Sequence, residues 1–270
     1  MTLVTISTVK GAPGGTTLAL LLARALAEQP GNDACVLAEC DLSGGDLAPM
    51  LGLPGVPGLA SLALTARHGI DRKAVLAHVQ QSAKLPGVNL LLGIAGPEQG
   101  IALGWIFEQL GEVLREPGLR AVADLGRQGH ENDPNEAFRR GSAANLVVTS
   151  ESVASLLHTR AAVESARRQG LEAKVVLIGN RSHRLSEVAE ATSAPVVGAI
   201  RFDPEGLSHL LGLSPLVARL AWRPGRSRRR RSAATRAAAL RSDVISLADE
   251  LSQLFHAGNP AACEGGVAAR

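Results

Sequence analysis

The sequence predicts an α/β protein: a single doubly wound, mainly parallel β-sheet with a C-terminal helix. Three observations predict it. Short apolar runs alternate with helix-period segments from residue 3 to residue 200. Several of those runs end in acidic or turn-forming residues, as buried parallel strands do at the edge where ligands bind. A glycine-rich segment joins the first run to the first helix. Neither an internal repeat nor a second core is visible.

The bulk properties agree. In 270 residues the apolar fraction is 46% and the aromatic fraction 2%, so the core must be built from Leu, Val, Ala and Ile. The formal net charge is only +3. Arg223, Arg226, Arg228, Arg229, Arg230, Arg231, Arg236 and Arg241 exceed it by themselves, with no acid between them. The rest of the chain is therefore net acidic, and the basic patch is a local feature. Cys35, Cys40 and Cys263 are odd in number and lack metal-ligand spacing, which predicts a reducing, cytoplasmic setting. No apolar run approaches the roughly 20 residues needed to span a bilayer, and no signal peptide is predicted.

Leu3 to Ile6 is the first strand. Ser7 to Thr17 follows as the glycine-rich segment, and Leu18 to Leu26 as an apolar helix. Glycines allow a tight turn that aims several N–H groups at one spot, and the helix start adds the positive end of its dipole. Together they make a seat for phosphate. Thr16, at the helix start, is placed to offer its hydroxyl to Mg²⁺. The ordinary phosphate loop reads G-x-x-x-x-G-K-[ST]; here Val9 replaces the first glycine and Gly15 replaces the lysine.

Ala34 to Asp41 reads as the second strand, with Glu39 and Asp41 at its carboxyl end. Residues 46–70 form a Gly/Pro/Leu-rich connection with a helix over Leu59 to Arg67. Val88 to Ile94 is a strand, and Ile101 to Arg115 an amphipathic helix in which Trp105 and Phe107 are expected to pack. Leu119 to Asp124 is a strand ending in an acid; Arg127 beyond it is expected either to be solvated or to reach phosphate, with solvation the commoner case for such an arginine. Asn145 to Thr149 is a strand. Glu151 to Arg168 is a helix, with Ser150 as N-cap and Gly170 as its stop. Lys174 to Ile178 and Pro195 to Ile200 are the last strands, and Ala233 to Phe255 a final helix. The predicted layout is a sheet domain over 1–222, a basic linker over 223–232, a helix over 233–256, and a disordered tail over 257–270.

Lys10 followed by Gly11, with Gly14 and Thr16, resembles the deviant Walker A loop K-G-G-V-G-K-T-T of the ParA/MinD family. Ala12, Pro13 and Gly15 depart from it. Glu39 to Asp46 resembles the family's D-x-D-x-x-G segment, and Leu119 to Asp124 its Walker B strand. The set is similar to divergent MinD-like proteins that accompany pilus and secretion ATPases. The resemblance covers residues 1 to about 220.

It implies ATP and Mg²⁺ as ligands, a cofactor-binding loop of Gly11, Ala12, Pro13, Gly14, Gly15, Thr16 and Thr17, and metal contacts from Thr16 and Asp124. It also implies catalytic roles for Lys10, which would cross to a partner subunit, and for Asp41, which would orient water. Asn180 and Arg181 match the position that contacts the base. Family members pair face to face around the nucleotide and position other machinery, which implies a homodimer, with pilus or secretion machinery as a partner. With glycine at position 15, weak or absent hydrolysis is expected. An ATPase rescued by Lys10 and a nucleotide-free scaffold both stay open. The basic stretch Arg223 to Arg241 is expected to meet a polyanion: nucleoid DNA, an anionic inner-membrane surface or an acidic protein.

Overall fold

The computed structural model describes residues 3–31, 34–66, 69–128, 133–179, 182–213 and 232–257. Asn180, Arg181, the arginines from 223 to 231 and the tail from 258 onward lie outside the described residues.

Seven strands form one sheet: β1 Leu3–Thr8, β2 Ala34–Glu39, β3 Val88–Leu91, β4 Leu119–Arg127, β5 Ala144–Ser150, β6 Lys174–Gly179 and β7 Val196–Arg201. Their order is β3-β2-β4-β1-β5-β6-β7, and every neighbouring pair is parallel. The chain winds outward from β1 toward β3, returns through β4, and then builds the other half. The carboxyl end of β1, between β4 and β5, is thus the topological switch point where open α/β sheets bind ligands.

The strands apart from the edge strand β7 are largely buried on both faces, which is why they read as continuous apolar runs. On one face Val4, Ile6, Leu37, Val122 and Leu146 pack against α1 Gly15–Glu28, α10 Pro204–Leu211 and α11 Ala233–Ala257. The intervening helices are α2 Leu47–Leu51, α3 Leu59–Thr65, α4 Arg72–Ala77, α5 Pro97–Leu103, α6 Phe107–Leu114, α7 Glu136–Arg139, α8 Val153–Arg168 and α9 Leu185–Thr192. On the opposite face Leu3, Val36, Ala38 and Ala121 pack against Leu62, Leu110 and Phe138. Val147, Val175 and Leu177 pack against Val163 and Val188. No helix among the described residues is long and apolar enough to cross a membrane.

Four expectations are corrected. The helix predicted over Ile101 to Arg115 is two helices, α5 and α6, separated by a 3₁₀ turn at Gly104–Ile106. The tighter turn shifts the helical phase. Phe107 is buried and its ring stacks obliquely on Phe138, with centroids 5.0 Å apart, whereas Trp105 is 55% exposed rather than packed. Helix α8 is capped by Ser152, not Ser150. Ser150 still pairs within the sheet, and its hydroxyl donates to the Gly11 carbonyl at 3.2 Å.

The fourth correction concerns charge. Arg236 and Arg241 do not belong to a free basic patch. Arg236 pairs with Asp203 and Glu205, each at 2.6 Å, and Arg241 with Glu28 at 2.7 Å. These pairs, with Leu240, Val244, Leu247 and Leu251 in the core, seat α11 on the sheet domain.

Candidate nucleotide site

The segment between β1 and α1 turns twice. The Ala12 N–H donates to the Val9 carbonyl at 3.1 Å, and Gly14 holds a left-handed conformation (φ 102°) at the start of α1. Gly14 has no side chain to cap the helix, so the first N–H groups of α1 remain available to a ligand. Residues 12–17 all line a cavity of about 590 Å³. Gly11 and Lys10 are exposed and do not.

Gly15 begins α1 in close contact with β1. A Cβ there would lie 2.4 Å from Thr8 Cγ2, so the Thr8 methyl fills the space from which a side chain at 15 would start.

Three acids gather at the carboxyl ends of β2 and β4, where Glu39 and Asp124 are register partners. They take different roles. Glu39 is 1% exposed and accepts from the N–H groups of Asp46 (2.6 Å), Leu47 (2.8 Å) and Gly93 (2.9 Å). It clamps the loop after β2 to the loop after β3. Gly45 and Gly93 leave it room, since a Cβ at either would come within 2.8 Å of its carboxylate. Burial pushes its pKa up, and the three N–H donors pull it back.

Asp124 is also 1% exposed and faces the cavity. Its Oδ1 accepts from the Gly126 N–H at 3.1 Å, while its Oδ2 is buried without a hydrogen-bond partner. Burial raises its pKa to about 6, against the pull of the neighbouring Thr16 hydroxyl and the Gly126 N–H, and Glu39 and Asp41 raise it further. Asp41 is half-buried and lines the same cavity, with one oxygen taking the Ser43 N–H at 2.7 Å. Its pKa is raised by burial, against the pull of Ser43. Gly126 (φ 64°) lies against it: a Cβ there would fall 2.0 Å from Asp41 Cγ.

A buried, unpartnered carboxylate oxygen beside a threonine hydroxyl fits a divalent cation. No group of three or more His, Cys, Asp or Glu side chains among the described residues could hold one alone. Mg²⁺ is commonly held by one or two carboxylates together with phosphate oxygens and water.

The far end of the cavity is apolar. Ile178 of β6, Ile200 of β7, Phe202, Pro204 and Leu207 of α10 and Leu240 of α11 line it, together with Asp203, whose carboxylate is paired with Arg236. Arg201 lines it too, but its guanidinium is held bidentately by Asp243 at 2.7 and 2.9 Å. The cavity thus joins a polar end, which holds the helix start and the acids, to a largely apolar one.

Comparison with solved structures bears on the fold. The ParA family ATPase from Chlorobium tepidum TLS superposes with a TM-score of 0.68 at 18% identity, covering 92% of this chain and 97% of that one. The cell division ATPase MinD of Pyrococcus furiosus gives 0.66 at 18% identity, covering 94% and 99%. This chain has the fold of the ParA/MinD ATPases. MinD of Pyrococcus horikoshii OT3, complexed with Mg-ADP, gives 0.65 at 17% identity, covering 96% and 99%. At these identities the likeness is one of fold. No protein-family model matches the sequence, and no curated protein does.

Within this ParA/MinD fold, the predicted Ala12 to Thr17, Asp41 and Asp124 converge on one cavity, while Lys10 stands outside it on an exposed turn. Two features escaped the sequence. Leu240 forms part of the apolar wall although it lies more than thirty positions beyond Leu207. Thr8 blocks position 15, and only its neighbour, a glycine where a lysine is expected, hinted at it.

Proposed function

We propose that this chain is a nucleotide-dependent positioning or regulatory protein that binds ATP with Mg²⁺ and pairs with a second copy across the nucleotide face, with weak or absent hydrolysis. The observation that carries this reading is the single cavity at the carboxyl end of β1. It joins an uncapped helix start, a buried carboxylate with an open coordination position, and an apolar far wall. The ParA/MinD fold of the three relatives supports it.

In this reading the N–H groups of residues 14–17 receive phosphate, and Thr16 and Asp124 hold the metal. Mg²⁺ would supply charge against the phosphate oxygens. Asp41 orients water, Lys10 reaches the partner's nucleotide, and Asn180 and Arg181 contact the base. Hydrolysis is slow because position 15 places no lysine at the transferring group. The six arginines between residues 223 and 231 form the polyanion contact, since Arg236 and Arg241 are engaged within the chain. Pilus or secretion machinery is the proposed object of positioning.

The test is calorimetric titration with ATP and Mg²⁺, with mass by light scattering and phosphate release measured on the same samples. Micromolar binding, dimerisation that needs ATP and is lost in Lys10→Ala, and turnover far below one per second are expected. Failure to bind ATP would leave a scaffold. Rapid turnover that depends on Lys10 would make the protein an active ATPase.

A further inference from the structure

A phosphate loop without its lysine needs a cation from elsewhere, and β4 supplies one. Among the described residues the basic side chains lining the cavity are Arg127 and Arg201. Arg201 is engaged by Asp243. Arg127 is exposed at the end of β4, one residue from Gly126, against which the Asp41 carboxylate packs, and it exerts a small downward pull on the Asp41 pKa.

The backbone brings it there by an irregularity. Ile6 is level with Asp124, but Thr8 is level with Arg127, so two steps along β1 match three along β4. In a regular strand residues three apart face opposite sides of the sheet. The extra residue, with Gly126 in the left-handed conformation, lets Asp124 and Arg127 line the same cavity. Bulges of this kind re-aim side chains beside functional sites. Gly126 is needed twice over: for its φ of 64°, and because the Asp41 carboxylate occupies the space of any Cβ. Opposite this arginine, the Thr8 methyl closes the route a lysine at position 15 would take.

We propose that Arg127 is the phosphate-binding cation of this site, replacing the lysine that position 15 lacks. The assignment rests on the nucleotide-binding reading above. A guanidinium offers a planar fork of donors that takes two phosphate oxygens at once, where an ammonium acts as a point charge.

The experiment titrates the full chain with Mg-ATP and, separately, with inorganic tripolyphosphate, for wild type, Arg127→Gln and Arg127→Lys. Because Arg127 is exposed, the variants should fold, which thermal melts verify. Removing a charged hydrogen-bonding partner should weaken both ligands about 10- to 100-fold in Arg127→Gln, with Arg127→Lys between it and wild type. Wild-type affinity for ATP in both folded variants overturns the role of Arg127 and leaves the nucleotide reading standing. Arg127-dependent binding of tripolyphosphate, with no binding of ATP, upholds the arginine and overturns the nucleotide reading. Folded wild type that binds neither ligand overturns both.

Discussion

The methyl group of Thr8 lies where a side chain on Gly15 would begin, 2.4 Å from the Cβ position. The two residues therefore form a matched pair, and Gly15 is not a simple deletion of a lysine. Gly15→Lys alone should lower stability by about 1–3 kcal/mol through overpacking and gain little ATP affinity. Thr8→Ser removes only the methyl and keeps the hydroxyl that donates to the Gly126 carbonyl at 3.3 Å. The double variant Thr8→Ser, Gly15→Lys should recover that stability and bind ATP about tenfold more tightly. Thermal melts and titration of the two variants check this. A single Gly15→Lys variant as stable as wild type would show that the pair is not interlocked.

Asp41 and Asp124 should separate by function. Asp124→Ala removes the buried open oxygen and should abolish the Mg²⁺ dependence of nucleotide binding, as should Thr16→Ala to a lesser degree. Asp41→Ala should leave affinity within about threefold and lower whatever phosphate release exists. Titration with and without Mg²⁺, paired with phosphate release, distinguishes the two. Identical behaviour of both variants would contradict the separate roles.

The acid cluster predicts a pH dependence in the ligand-free protein. Folding raises the pKa of Asp124 from its ordinary 3.8 to about 6. Between these values the folded chain holds a proton that the unfolded chain has released. Stability should therefore fall as pH rises from about 4 to 6, then level off. Glu39 and Asp41 shift in the same direction and steepen that limb. Asp124→Asn should flatten it and raise stability at pH 7 by up to about 3 kcal/mol. Urea melts from pH 4.5 to 7.5 would show this, and a variant with the wild-type slope would count against it.

The clamp on α11 should couple stability to the apolar end of the cavity. Asp243 holds both the guanidinium and the backbone N–H of Arg201. Asp243→Ala leaves both unpaired and should cost about 2 kcal/mol, given that the arginine is partly exposed. Leu240→Ala trims the wall itself. Its loss should weaken binding of adenosine-containing ligands while leaving tripolyphosphate affinity unchanged, as competition titrations would reveal.

Much of this architecture was legible because it is written in local pattern. Leu3 to Ile6 and Leu119 to Asp124 are buried on both faces, so their apolar runs announced strands. The spacing of Gly14 and Thr16 announced the helix start. Gly104 was less transparent: a helical period continues through it, whereas the chain tightens into a 3₁₀ turn there, where Pro134 leaves little room for a side chain. Glu39 and Asp41 look alike in sequence, two acids at one strand end. What makes one a clamp and the other a cavity wall is the set of N–H groups from residues 46, 47 and 93, which the chain order does not bring together. The strand β4 was read as ending at Asp124, and the irregularity that carries Arg127 into the cavity depends on pairing with β1, a long-range relation with no local signature.

The wall that Leu240 provides has a consequence for how the protein is made. Among the described elements, α11 leaves the ribosome last. Until it docks through Arg236 and Asp243, the apolar half of the cavity lacks one side. The phosphate end, built from β1, α1, β2 and β4, is complete well before. A nascent or prematurely terminated chain would thus carry a seat for phosphate without the enclosure for a base. On the proposed reading, discrimination between a nucleotide and simpler phosphates would arrive only once α11 has been made.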